Sequence, residues 1–269
     1  MSQSAEAFGY GITETRSVID DVDAYLEEIE FRGYTVVPSG LSPETLDDLR
    51  RRLDVLHAQE KAAGSDGFTA DEDLIRCPLA LDESFLAVAT LPIVLDVAQR
   101  ARGESRVLLR RNATFNQPAR EPYGSRWHRD IPYQHFVASQ RLAVNALLCV
   151  DDFTSETGGT VVLPGSHRFE TFPSSRLIAK EQRVAIAPAG SVIMMDAMLY
   201  HRAGANVSTG VRRAVNHLIG RPMLAQQIDI PRQLNGRNAD HPFLNGYLGY
   251  RWNPASDVST WRSLRQPTD

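Results

Sequence analysis

Between residues 106 and 220 the chain breaks into short runs rich in Val, Ile, Leu, Thr and aromatic residues, separated by clusters of Gly, Pro and Asp. Runs this short cannot close a core alone. They have to pair edge to edge, and their spacing predicts an antiparallel sandwich or jelly roll. The expected strands are 106–116, 127–131, 142–151, 160–163, 183–187, 191–195, 200–202 and 213–220, with 153–159 as a tight connection and 188–190 as a turn.

The segment before them reads differently. Ile19, Val22, Leu26 and Ile29 recur at helical spacing and Gly33 follows, which predicts a helix ending there and a short strand over 34–37. Ser42 before Pro43 is an N-cap followed by a residue suited to the first helical turn, and Leu46, Leu49, Leu53 and Leu56 form the apolar stripe behind it. A polar loop over 61–73 leads to a helical run that Pro92 interrupts and Gly103 stops. Residues 221–269 read as loop-rich, with an aromatic stretch at 244–252 that is expected to fold back over the barrel mouth. The predicted architecture is one domain over 1–269, mainly β with flanking helices (α+β): helical support in 1–105, a double-stranded β-helix (jelly-roll, cupin-like) core in 106–220, and a loop-rich tail.

Composition narrows the function classes. A formal charge of −4 with dispersed Arg residues gives no pull toward nucleic acid. The 42% hydrophobic content is ordinary for a globular chain, and no membrane span or secretory signal is expected. Cys77 and Cys149 fit no metal spacing, so a reduced, cytoplasmic protein with a small-molecule partner is the expectation.

Chemistry concentrates in Trp127-His128-Arg129-Asp130. On an extended segment His128 and Asp130 point to the same side, and His201 would complete a set of two imidazoles and one carboxylate. That set leaves three open positions on an octahedral ion, the arrangement of non-haem Fe(II) oxygenases. Taken alone, the His-x-Asp pair reads equally well as a hydrogen-bonded couple at a strand end. Arg212 or its neighbour Arg213, which face opposite sides of a strand, would offer a permanent cation able to clamp a carboxylate.

His128-Arg-Asp130, Leu163-Pro-Gly-Ser-His167 and His201-Arg-Ala-Gly-Ala-Asn206 followed by Arg212 resemble, in order and spacing, the phytanoyl-CoA dioxygenase family of Fe(II)- and 2-oxoglutarate-dependent oxygenases. The likeness runs from about residue 30 to about 220. It implies His128, Asp130 and His201 as iron ligands and Arg212, rather than Arg213, on the far carboxylate of 2-oxoglutarate, leaving Arg213 as a surface charge. It further implies that O2 is consumed, 2-oxoglutarate is decarboxylated to succinate and CO2, and an aliphatic C–H bond is hydroxylated. Asp130 argues against halogenation, for which relatives carry a small residue there. Where the family has a Trp beside 2-oxoglutarate this chain has Leu147, and Ala203 replaces a hydroxyl found in some relatives. Asn145 shares the face of Leu147 and is expected to offer its amide to the co-substrate; Phe115 is expected to face the same pocket.

Arg126, Tyr133 and Phe115 are the substrate-side candidates, by nearness to the ligands. An acyl-CoA substrate would call on cations among Arg110, Arg111, Arg120, Arg126 and Arg129. Two other classes compete: a jelly-roll metalloprotein holding a redox-inert ion such as zinc for binding or isomerisation, in which Arg212 has no purpose, and a non-catalytic sensor or interaction domain, which has no need of an intact triad.

Overall fold

The computed structural model describes residues 11–263 and 265, apart from 13, 65–71, 104 and 132–135. The first helix, α1 (Asp21–Arg32), is capped by Asp20 and closed by Gly33, whose φ of 87° is the left-handed conformation glycine adopts without strain. It leads into β1 (Tyr34–Pro38). Ser42 then caps α2 (Pro43–Ala63) by accepting from the Thr45 amide, and the four leucines of its stripe are buried. β2 (Leu74–Arg76), α3 (Pro78–Leu81), α4 (Ser84–Ala89) and α5 (Pro92–Arg102) complete the helical part. There follow β3 (Val107–Asn116), β4 (Ala143–Cys149), β5 (Val161–Val162), α6 (Ser175–Glu181), β6 (Arg183–Val184), β7 (Ser191–Asp196), β8 (His201–Arg202) and β9 (Arg212–Gly220). Among the described residues three short α-helices follow: α7 (Ile230–Leu234), α8 (Leu244–Leu248) and α9 (Val258–Ser263).

A six-stranded antiparallel sheet runs in the order β1-β7-β4-β9-β3-β2, and a small sheet in the order β6-β5-β8 faces it. Isolated bridges His128–His201 and Phe153–Ala187 extend the smaller layer. Alternation divides the large sheet into two faces. Val144, Ala146, Leu148, Val192, Met194, Val215 and Ile219 pack under Ile29, Leu53, Phe85 and Val97 from the helices. Leu147, Cys149, Ile193, Met195 and Ala214 face inward and close on Phe153, Val162, Ala185, Ala187 and Leu199. A β-bulge between Leu108 and Arg110 breaks the alternation, so that Leu109 joins the inward Leu218 while Arg110 also reaches the inside.

Local signals fail at four places. The expected strand 127–131 is a loop held by one bridge, because within it only His128 pairs with β8, through His201, and Asp130 bonds the Ala197 carbonyl instead. The polar stretch after residue 61 continues α2 through Ala63 and is followed by β2, whose Leu74 and Ile75 are buried. α6 has no buried residue and so no apolar stripe to announce it. The tail is partly helical: its first residues, Leu224, Ala225 and Gln227, line a cavity beside Asp130, and its later part docks elsewhere. Leu244, Tyr247 and Leu248 join the helical core, and the Tyr247 hydroxyl donates to the Ala89 carbonyl at 2.8 Å. One described stretch, Ser84–Ala101, is long and apolar enough to cross a membrane, with mean hydropathy 1.3. It is broken between α4 and α5, and Phe85, Val88, Val94 and Val97 are buried in the core.

Candidate metal centre

Backbone pairing brings the three predicted ligands together. His128 and His201 exchange N–H···O bonds of 3.0 Å in both directions, and the Asp130 amide donates to the Ala197 carbonyl at 3.0 Å. The imidazoles therefore lie side by side, with ring centroids 4.4 Å apart. One ligand atom from each of His128, Asp130 and His201 falls within 4.8 Å of the others. Convergence comes from this bridge and the loop after it, not from period-two alternation along a strand.

Each ring is oriented from behind. His128 Nδ1 lies 2.8 Å from the Arg126 carbonyl and His201 Nδ1 lies 3.0 Å from that of Leu199. Because a carbonyl only accepts, both Nδ1 atoms carry the proton and both Nε2 lone pairs are left for a metal. Burial pushes the His201 pKa down, against the pull of Asp130, which keeps the ring neutral at pH 7.

Asp130 is buried and holds two further partners: Arg110 donates to Oδ1 and Asn145 to Oδ2. Asn145 is in turn fixed by Asn216, whose amide donates to its Oδ1 at 3.0 Å. Burial alone would raise the Asp130 carboxyl, but Arg110, then His201 and the Asn145 bond, hold it below the usual carboxylate range. Its Oδ2 lies 3.9 Å from His201 Nε2, which leaves that oxygen facing the metal position.

Arg212 is buried and lines the same cavity, stacked 4.0 Å over Phe153. Among the described residues no group accepts a hydrogen bond from it, and its buried Nε is without a partner. Burial pushes its pKa down to about 10, which still leaves a cation at neutral pH. Arg213 points the other way and is no free surface charge. It binds Asp54 of α2 and Asp151, tying the helical layer to β9.

Other expected residues scatter. Leu147 lines the cavity. Asn145 faces inward, but its amide goes to Asp130 rather than standing free for a co-substrate. Phe115 is among the residues that line the cavity, beside Arg110, Asn112, Thr114 and Asn116 of β3, and its ring stacks on His57 at 4.1 Å. Arg126 is exposed, does not line the cavity, and serves through its backbone carbonyl. Tyr133 lies outside the described residues. Of the cations considered for a CoA moiety, Arg111 is buried on the helical side and Arg120 pairs with Glu72 and Asp73. The inward stripe of β3 carries no motif. Its only sequence signal is a polar residue at every second position from Arg110 to Asn116.

The family model for phytanoyl-CoA dioxygenase matches residues 29–214, a span that holds the triad and Arg212. The chain belongs to the phytanoyl-CoA dioxygenase family. An uncharacterized protein of Mycobacterium tuberculosis, Rv1501, is 29% identical over 232 residues, which cover 82% of each chain. Among solved structures, EctD from S. alaskensis with bound Fe aligns with a TM-score of 0.64 and 19% identity over 76% of this chain and 78% of that one. The epimerase SnoN in complex with Fe3+, alpha ketoglutarate and nogalamycin RO aligns with a TM-score of 0.61 and 17% identity over 75% and 84%. These likenesses place the chain in the same fold as both. In this member of the phytanoyl-CoA dioxygenase family Leu147 lines the cavity and a bulge-directed Arg110 donates to Asp130.

Proposed function

We propose that this protein is an Fe(II)- and 2-oxoglutarate-dependent oxygenase that hydroxylates an aliphatic C–H bond of a small organic molecule. One observation carries the reading: three metal-ligand atoms lie within 4.8 Å of one another, in a cavity that also holds a buried arginine with no acceptor among the described residues. The donor set fits the ion. Two neutral imidazoles and one carboxylate are the facial ligands of non-haem Fe(II), and they leave positions open for a chelating co-substrate. The unpartnered guanidinium fits the co-substrate's far carboxylate, since a buried cation is stabilised by a bidentate anion.

Bound iron and 2-oxoglutarate supply the oxidising chemistry, with O2 consumed and succinate and CO2 released. The chain's own residues set geometry and charge. His128, His201 and Asp130 Oδ2 hold the ion, and the carbonyls of Arg126 and Leu199 keep each imidazole in the metal-binding tautomer. Arg212 fixes the far end of the co-substrate, while Leu147 and the Phe153 ring keep that end dry. SnoN, whose name is that of an epimerase, supports the same fold hosting a second outcome, so hydroxylation is the part that needs its own test.

Anaerobic protein given Fe(II) and 2-oxoglutarate is expected to develop a weak metal-to-ligand charge-transfer band. Admission of O2 with a metabolite panel is expected to yield one product heavier by one oxygen atom, in step with succinate. Arg212→Ala should raise the KM for 2-oxoglutarate about 30- to 1000-fold, the equivalent of roughly 2–4 kcal/mol for a desolvated charge pair. Tight zinc binding without the band would favour the redox-inert metalloprotein, and a mass-neutral product would favour epimerisation.

A further inference from the structure

Arg110 is a further cation of the site beside Arg212 and Arg202; it backs the Asp130 carboxylate, and the co-substrate does not use it. The bulge at Leu108/Arg110 turns it inward, where it donates to Asp130 Oδ1 while Oδ2 faces the metal position. Its Nε is buried and has no partner. Arg110 and Asp130 form the wall between two cavities, since both line each of them. One, of about 130 Å3, contains the triad and Arg212. The other, of about 400 Å3, is walled by Leu109, Ile131, Leu218 and Leu224 with Arg129 at its edge. Among the described residues Asp130 is the sole acid lining either cavity.

Formal charges decide what Arg110 lacks. A divalent ion, Asp130, the 2-oxoglutarate dianion and Arg212 sum to zero, which leaves Arg110 and Arg202, both lining the smaller cavity, as excess cations, and of these two Arg110 alone also lines the second, largely apolar chamber. A buried cation is stable only with a matching anion, and a guanidinium matches an oxyanion in plane and spacing. Resting on the oxygenase reading above, we infer that the substrate is an anionic amphiphile. Its oxyanion head is held by Arg110 beside the metal, and its apolar body lies along Leu109, Ile131, Leu218 and Leu224. Carboxylate, sulfate and phosphate monoesters share this chemistry.

The experiment loads anaerobic protein with Fe(II) and saturating 2-oxoglutarate, then titrates hexanoate, hexyl sulfate, hexyl phosphate and neutral 1-hexanol. The readout is perturbation of the charge-transfer band. At least one oxyanion is expected to bind about tenfold or more tightly than hexanol, and the strongest of the three identifies the head group. Arg110→Gln should lose that preference while its Co(II) affinity, measured separately without co-substrate, stays equal to or above that of the native protein, because a competing cation has gone from Asp130. Arg110→Lys should keep part of the preference, since the charge stays and the fork is lost. Equal binding of hexanol, no oxyanion binding to loaded native protein, or an Arg110→Gln variant that loses Co(II) affinity yet keeps the oxyanion preference would each overturn the inference. Absence of the band in native protein instead condemns the oxygenase reading, so the two failures are separable.

Discussion

Both candidate metal-binding rings lean on a carbonyl two residues before them, and that repeated detail sets His128 and His201 apart from the other described histidines. His167 bonds the Glu30 carbonyl, His57 lies against Phe115, and His217 is sealed on the helical side. None has a carboxylate and a second ring converging on its free nitrogen. The carboxylate ligand depends equally on what stands behind it. Asn145→Ala removes the donor to Asp130 Oδ2 and strands the Asn216 amide. The expected outcome is a roughly 10- to 100-fold loss of Co(II) affinity by titration, with little change in the folded baseline. The His-x-Asp pair and the distal His were legible because residue identity and order carry them. The Asn145–Asp130 bond was not, because residues 15 apart in sequence become partners only when β4 folds behind the loop.

At the level of elements, β3 and β9 form the hinge between helical support and site: one face of each carries core, the other chemistry. On the core face His217 is fully buried, with Nδ1 donating to the Ala146 carbonyl at 3.1 Å. Burial first, then Arg111 directly across the strand pair, hold its pKa well below 6.5. The sign follows. Below 6.5 the unfolded chain takes up a proton that the folded chain refuses, so stability falls as pH drops from there toward the depressed folded value. Such a group contributes a slope of about 1.4 kcal/mol per pH unit. His217→Gln keeps a donor for Ala146 and removes this titration. Urea midpoints measured between pH 7 and 5 should therefore fall less steeply in the variant than in the native protein. Strand positions were readable from alternation, but the face of β3 was not. The bulge at Leu108/Arg110 resets the parity, and this is why Arg110 lines the cavity and Phe115, also at its wall, stacks its ring on His57 of α2.

For the whole molecule, the tail behaves as part of the helical layer. α8 packs over β3 and α4, and the Tyr247 hydroxyl, buried and paired with Ala89, fixes that docking. Tyr247→Phe strands one buried carbonyl and should cost about 1–3 kcal/mol, read as a lowered thermal midpoint with metal affinity unchanged. The sequence alone determined the jelly-roll class, the helices before it and, through the family resemblance, which four residues to look for as a candidate triad with Arg212, because periodicity, capping residues and motif order are properties of the chain taken in line. Tertiary structure decided which side chains back the ligands, which way β3 faces, and where the tail docks. Those depend on a bulge, on pairing between distant strands and on apolar surface left open by other elements, none of which a local run of residues encodes.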